Sequence, residues 1–407
     1  MREDRPRQIF FGWKVVAVTS LVAFFGFGSG FYSQGVYLVV LHERHGWPIA
    51  FISLAITVYF VLGAAITAFV GDALERFGPR TVVLVAVAAL GAGVLALPRL
   101  ERPWHLYVAF AVMAVGWGGT SGAAINALVA PWFEKKRGLA VSIAFNGATA
   151  GGVIMVPLWT ALIAAIGFSS AASIVVGVMV ATLVPLAARY LYRRPEVLGL
   201  HPDGAAEPAP TRGPGGVTSL RRADLIRSRN FWTISAPFAL GLLAQVGFLT
   251  HQMAYVKPRL GAEGAALAVS LTTFAAIVGR LLTGLFIDRV DRRVAASCNF
   301  ILQAVAVIVM ISWPSTALLY AAGALFGLGL GNAVTFPALI VQMEYPKEHF
   351  SRIVSLIVAI NQFTFAFGPG LLGWLRDWSG SYSTALGLCI VCEAMAAIVV
   401  LVRRRPG

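Results

Sequence analysis

The chain has 407 residues, of which 58% are hydrophobic and only 12% charged, with a formal net charge of +14 and a mean hydropathy of +0.78. So little charge cannot cover a soluble domain of this length, and apolar runs of about 20 residues recur from end to end, which is the pattern of a polytopic membrane protein. The cation excess is read as membrane-face loops rather than a nucleic-acid surface, so no nucleic-acid partner is expected.

In chain order the apolar runs predict spans at 13–41, 49–71, 81–98, 104–131, 138–166, 168–190, 231–256, 264–287, 294–313, 315–342, 352–375 and 382–402. Backbone groups in lipid must satisfy one another within the segment, so these are twelve helices. The first run is too long for a signal-peptide core. Gly26, Gly28 and Gly30 give the first helix places to bend. With the N-terminus inside, 25 lysines and arginines fall on inside segments and 6 outside, and Arg280 is left within a span. That bias predicts cytoplasmic termini and an even number of spans. Residues 193–229, rich in Pro, Gly, Ala and Arg, form a cytoplasmic linker. The domain expectation is a six-helix bundle over 1–192, the linker, and a second bundle over 230–407. Cys298, Cys389 and Cys392 lie inside apolar runs and are expected to be packing thiols.

The halves repeat one another. After the second span come Gly71, Glu75, Arg76, Gly78 and Arg80; after the eighth come Gly284, Asp288, Arg289, Arg292 and Arg293. Both read G-x-x-x-[DE]-R-x-x-x-R, an internal repeat. The acidic members are expected to pair with nearby cations and helix ends, as gate residues that hold the outward-open state and release on switching; topological anchoring by the arginines alone is the other reading.

Ionisable residues at membrane depth are costly and point to function. Arg280 lies about eight residues, or about 12 Å, from Asp288 at the helix end. Its permanently charged fork suits bidentate pairing with a carboxylate. His251, near the outer end of the seventh helix, is a candidate proton carrier or substrate donor. Glu393, mid-span in the twelfth, is a candidate proton-coupling site or a buried neutral carboxyl. Tyr32, Asn146, Asn332 and Asn361 are candidates for the cavity wall or for interhelical bonding. Phe336 and Phe365 could line an apolar part of the cavity or pack elsewhere. No metal-ligand spacing, nucleophile–base pair or single-depth cluster of His, Asp and Glu argues for an enzyme, and no cofactor or metal is expected.

The paired loop motif, the six-plus-six layout and the long linker resemble the major facilitator superfamily. That resemblance implies an all-α integral membrane fold, with two pseudo-symmetric six-helix bundles around a central cavity that opens alternately to each side. Within the superfamily the chain looks like the monocarboxylate porter group and its bacterial oxalate/formate relatives. The segments that carry this are Phe11-Gly12-Trp13-Lys14, Trp132-Phe133-Glu134-Lys135-Lys136-Arg137-Gly138-Leu139-Ala140, Arg194-Pro195-Glu196 with Gly199-Leu200-His201-Pro202, and Gly368-Pro369 with Gly373-Trp374-Leu375-Arg376-Asp377.

The resemblance places the substrate-carboxylate arginine at Arg280. The chain departs from the animal carriers at Ala276, where they have an aspartate. It departs from the oxalate/formate exchangers by lacking a cation between Ala359 and Phe367. One fixed cation favours a monoanion over a dianion. The expectation is a monomeric carrier of the plasma (inner) membrane, with a small lactate- or pyruvate-like anion as substrate, protons as coupling ion and the lipid bilayer as its surroundings. Anion exchange, or export of another organic anion, is the alternative. A fifth helix without the Gly-Pro pattern of drug antiporters weighs against drug export.

Overall fold

The computed structural model describes residues 10–191, 195–204, 222–346 and 349–402. Residues 193–194 and 205–221 of the expected linker, and cations such as Arg2, Lys347 and Arg403, lie outside the described residues. Among the described residues every regular element is helical, and nine helices are long and apolar enough to cross a membrane.

Two of these are double. Arg137–Tyr190 breaks at Gly167, with φ 79°, and Arg229–Phe286 breaks at Gly261, with φ 71°. Glycine alone takes such a φ without steric penalty, so the chain turns there with no loop residues. A further crossing comes from Thr316–Leu330 continued by Phe336–Glu344. The set fits the twelve crossings read from the apolar runs.

Several spans expected to be continuous are interrupted. The first is Phe11–Phe27, a π-turn at Gly28–Tyr32, then Gln34–His45. The tenth opens between Leu330 and Phe336, and the eleventh is Phe350–Phe365 followed by Gly368–Ser379. Pro337 and Pro369 sit in the first turn of the restarted helices. Proline has no N–H to donate there and fits a helix start, so the breaks in the tenth and eleventh spans fall where the sequence cannot continue the ladder.

Packing repeats between the halves. A methyl on Gly151 in the fifth segment would strike the Phe24 carbonyl and the Gly28 backbone of the first. A methyl on Gly368 in the eleventh would strike the Leu243 carbonyl and the Gly247 backbone of the seventh. Small residues let these backbones touch, the membrane counterpart of a packed core.

The halves join on the face remote from the termini. There the Ala50 N–H donates to Asp377 Oδ2 (2.7 Å), the Gly370 N–H to Thr57 Oγ1 (2.9 Å) and Ser270 Oγ to the Val153 carbonyl (2.9 Å). Lys257 pairs with Glu43 at 2.5 Å. The Phe60 and Phe365 rings meet edge to face with centroids 5.7 Å apart. Toward the face that carries the termini, Asn146, Arg280 and Leu281 are exposed.

Candidate functional site

Arg280 sits in the eighth segment seven residues past Thr273, about 10 Å nearer the termini face than the seam. The Thr273 side chain and the Tyr32 ring both flank Gly152, where the fifth and eighth segments touch. Arg280 is exposed, and Tyr32, across the gap in the first segment, lies within electrostatic range of its charge. Its Nε donates a long bond, 3.4 Å, to the Gly331 carbonyl. The rest of its fork is thus offered to the space between the halves. Asn146, on the fifth segment, is exposed at matching depth on the opposite wall.

The break in the tenth segment supports this arginine from behind. Asn332 Nδ2 donates to Asn299 Oδ1 (3.1 Å) and to the Leu328 carbonyl (3.2 Å). Asn299 Nδ2 donates to the Gly329 carbonyl (3.2 Å), and Gln303 Nε2 reaches the Asn299 carbonyl at 3.4 Å. These amides hold the non-helical backbone that presents the Gly331 oxygen. Asn332 is therefore buried behind the cavity wall. Asn299 and Gln303 escaped the sequence reading because each looks like an isolated polar residue in an apolar run.

The remaining candidates do not gather around Arg280. His251 is fully buried in the seam. Its Nε2 is 3.0 Å from the Pro369 carbonyl and 3.3 Å from Ser53 Oγ, and its Nδ1 is 3.3 Å from the Tyr382 hydroxyl. Second, seventh, eleventh and twelfth segments thus meet on one imidazole, rather than at an open outer mouth. Phe365 is half-buried in the same seam, and Asn361, one turn earlier, is buried with Oδ1 unpartnered among the described residues. Phe336 faces away from the cavity. It packs with Phe238 and Phe300 in a cluster confined to the C-terminal half, because the restarted helix turns that side chain inward.

Glu393 is fully buried on the twelfth segment, and neither carboxylate oxygen has a hydrogen-bond partner among the described residues. That segment packs on the seventh, ninth and eleventh. Glu393 and Arg280 therefore belong to different places.

The repeated loop motifs lie on the open termini face. Gly71, Glu75, Arg76, Gly284, Asp288 and Arg289 are all exposed. Asp288 pairs with Arg292, at 3.7 Å within its own loop. The last arginine of the second copy, Arg293, is buried. Arg293 grips Glu344 through Nε (2.5 Å) and Nη2 (2.8 Å), and donates from Nη1 to the Val400 carbonyl (2.7 Å) and from Nη2 to Thr233 Oγ1 (3.1 Å). It binds the termini-face ends of the seventh, ninth, tenth and twelfth segments together.

Three separate sequence segments converge on the termini face of the N-terminal half. Phe10 and Trp13 pack on Phe133, and Phe11 packs on Trp132. Over them the start of the linker folds back. Asp203 accepts from the backbone N–H groups of Glu134 (2.9 Å), Lys135 (2.7 Å) and Lys136 (3.2 Å). It thereby ties residues 195–204 to the turn that leads into the fifth segment, which begins at Arg137. Burial pushes the Asp203 carboxyl up, but the three N–H donors, with Lys136 close by, outweigh it and hold the group below the usual carboxylate range.

A cation offered at membrane depth between two repeated helical bundles, with a seam closing one side, defines a polytopic membrane transporter. The family model of the Major Facilitator Superfamily matches residues 19–268 and 259–407, and the chain belongs to that family of membrane transporters rather than to the enzymes. It is 22% identical to an uncharacterized MFS-type transporter, YcxA of Bacillus subtilis, over 86% of this chain and 85% of that one. It is 26% identical to human monocarboxylate transporter 11 over 78% of this chain and 67% of that one. Among solved structures, the nucleoside transporter NupG superposes with a TM-score of 0.72 at 12% identity, covering 96% of this chain and 98% of that chain. At that identity the likeness is one of fold.

Proposed function

We propose that the protein is a secondary active carrier of a small monocarboxylate, lactate- or pyruvate-like, working by alternating access as a proton symporter. The observation that carries this reading is Arg280, exposed between the halves with most of its fork unengaged among the described residues. A guanidinium pairs two-pronged with a carboxylate, and in a low-dielectric cavity it selects anions strongly. With a single such cation, one negative charge is matched and a second is not. Tyr32 lies near enough to hydrogen-bond the bound acid, and Asn146 lines the facing wall. A relative named for monocarboxylate transport supports the same substrate class.

A proton entering with the anion removes the charge penalty of crossing. His251 is the favoured proton-handling residue because it bridges the halves at the seam. Glu393, enclosed in one half, is the second candidate. The gate residues of the repeated loops exchange partners as the termini face closes. The cation bias supports a cytoplasmic termini face, and the carrier is taken to act as a monomer in the inner membrane. Anion exchange of the oxalate/formate type, or organic-anion export, is the rival reading.

The test is uptake of radiolabelled lactate and pyruvate into proteoliposomes with and without an inward proton gradient. Gradient-stimulated uptake is expected. Uptake that ignores the gradient and needs internal anion would replace symport with exchange. No uptake by a folded preparation would remove the short-acid substrate.

A further inference from the structure

A second cavity, of about 580 Å³, opens on the face remote from the termini. Both halves build it: Glu43 comes from the first segment, Tyr255, Lys257 and Arg259 from the seventh, and Arg376 and Tyr382 from the end of the eleventh and start of the twelfth. Three cations therefore line a space large enough for a small organic acid with its water. It lies directly over the seam, since the hydroxyl of its wall residue Tyr382 is 3.3 Å from His251 Nδ1, and Arg376 stacks over the Tyr382 ring at 5.8 Å.

Two of the three cations are already held by carboxylates, and both carboxylates fasten the halves together. Glu43 of the N-terminal half pairs with Lys257 of the C-terminal half at 2.5 Å. Asp377 takes Arg376 Nη1 on Oδ1 (2.7 Å), while its Oδ2 accepts the Ala50 N–H at the start of the second segment (2.7 Å). The Glu43 side chain is about half exposed, and an ion pair that wet is weak and exchanges readily. Arg259 adds a cation to the same wall.

Resting on the monocarboxylate reading, we propose that this cavity is a carboxylate-capture vestibule. The anion's own carboxylate replaces Glu43 on Lys257 and so frees the ion pair that ties the two halves, while Arg376 on the same wall supplies a second cation to hold it. Glu43 and the cargo present the same chemical group to the same cation, Lys257. Arrival of cargo on the closed face therefore becomes the signal for that face to open, because a ligand can shift a conformational equilibrium only through contacts that differ between the two states. This site is separate from Arg280, which lies on the other side of the seam.

The test uses the full chain with Cys298→Ala, spin-labelled at Glu101→Cys and Glu263→Cys on the outer ends of the two halves. It is held in phosphatidylcholine nanodiscs so that anionic headgroups do not compete. Pulsed EPR distances are recorded with sodium pyruvate and with its neutral amide. Pyruvate, but not the amide, is expected to lengthen the inter-label distance. Arg376→Gln should raise the half-effective pyruvate concentration at least about fivefold. Glu43→Gln should lengthen the distance with no anion added. Arg280→Ala should retain the pyruvate response.

Absence of a pyruvate response in the unmodified protein overturns the vestibule. So does a response that vanishes in Arg280→Ala while ignoring Arg376→Gln. Either result leaves the carrier reading to be judged by uptake alone: uptake intact with no vestibule response rejects only the vestibule.

Discussion

Gly331→Ala probes the arginine's seat from behind. The new methyl would lie 2.7 Å from the Ala276 carbonyl oxygen and 3.2 Å from both Nε and Nη2 of Arg280. Gly331 has φ −68° and ψ −18°, a conformation alanine takes freely, so the substitution acts through space and not through backbone strain. Opening the carbonyl contact from 2.7 to the ordinary 3.4 Å asks for a 0.7 Å separation of the eighth segment from the tenth-segment break, and the guanidinium must pivot by 0.2 Å.

Overpacking of this kind costs about 1–3 kcal/mol, and the stiffer unfolded chain returns about 0.4–1 kcal/mol. The net destabilisation is then about 1–2 kcal/mol. Charge-assisted bonds contribute about 1.5–3 kcal/mol each, so spoiling part of one removes about 1 kcal/mol of anion binding, or about fivefold in KM. Initial rates of pyruvate uptake into proteoliposomes, with thermal unfolding measured alongside, give both numbers. Gly387→Ala, where a methyl meets nothing within 4 Å, is the control. A KM equal to the unmodified protein's, together with a lowered Tm, would refute the reasoning: the methyl would have disturbed packing without touching the anion's partner.

Other substitutions separate the remaining roles. His251→Leu strips Ser53 and Tyr382 of a buried partner and should cost about 1 kcal/mol, abolishing proton-gradient stimulation while pyruvate–pyruvate exchange persists; equal loss of both would make His251 a structural pin. Glu393 has no cation within ion-pairing distance among the described residues, so Glu393→Gln should leave gradient-driven uptake within about twofold, and loss of coupling would move the proton site there. Asp203→Asn, which weakens charge-assisted bonds to three backbone N–H groups, should lower stability by about 1 kcal/mol and free residues 195–204 to proteolysis. Because the Asp203 carboxyl is held below its usual range, its contribution is complete above the ordinary carboxylate pKa and is lost only as pH falls through the lower folded-state value. Proteolysis at this strap should therefore be flat from pH 5 to 8 and rise only in stronger acid.

Much of this was legible in the sequence for physical reasons. Apolar runs of membrane length announce crossings, and Arg280 stands out because a charge in such a run is rare. The repeated loop motif announces two halves. The faces of the helices were less legible. A helix apolar on all sides carries no moment to say which side is core, so Phe336 could be read as cavity lining when it belongs to a core cluster. Ser53 and Thr57 lie in an apolar run with nothing local to mark them, and Asp377 belongs to a recognisable segment without showing its partner; the closed seam gives them partners on the other half. Asp203 sat in an apparent Pro-Asp-Gly turn, and nothing local pointed to N–H groups 67 to 69 positions earlier.

The central claim is that Arg280 grips the substrate carboxylate, and uptake of labelled pyruvate by Arg280→Ala and Arg280→Lys proteoliposomes tests it most directly. Arg280→Ala should abolish uptake in a protein that unfolds at the unmodified Tm, and Arg280→Lys, which keeps the charge but loses the fork, should retain a fraction with a raised KM. Arg280→Ala protein that still takes up pyruvate with an unchanged KM would contradict the account.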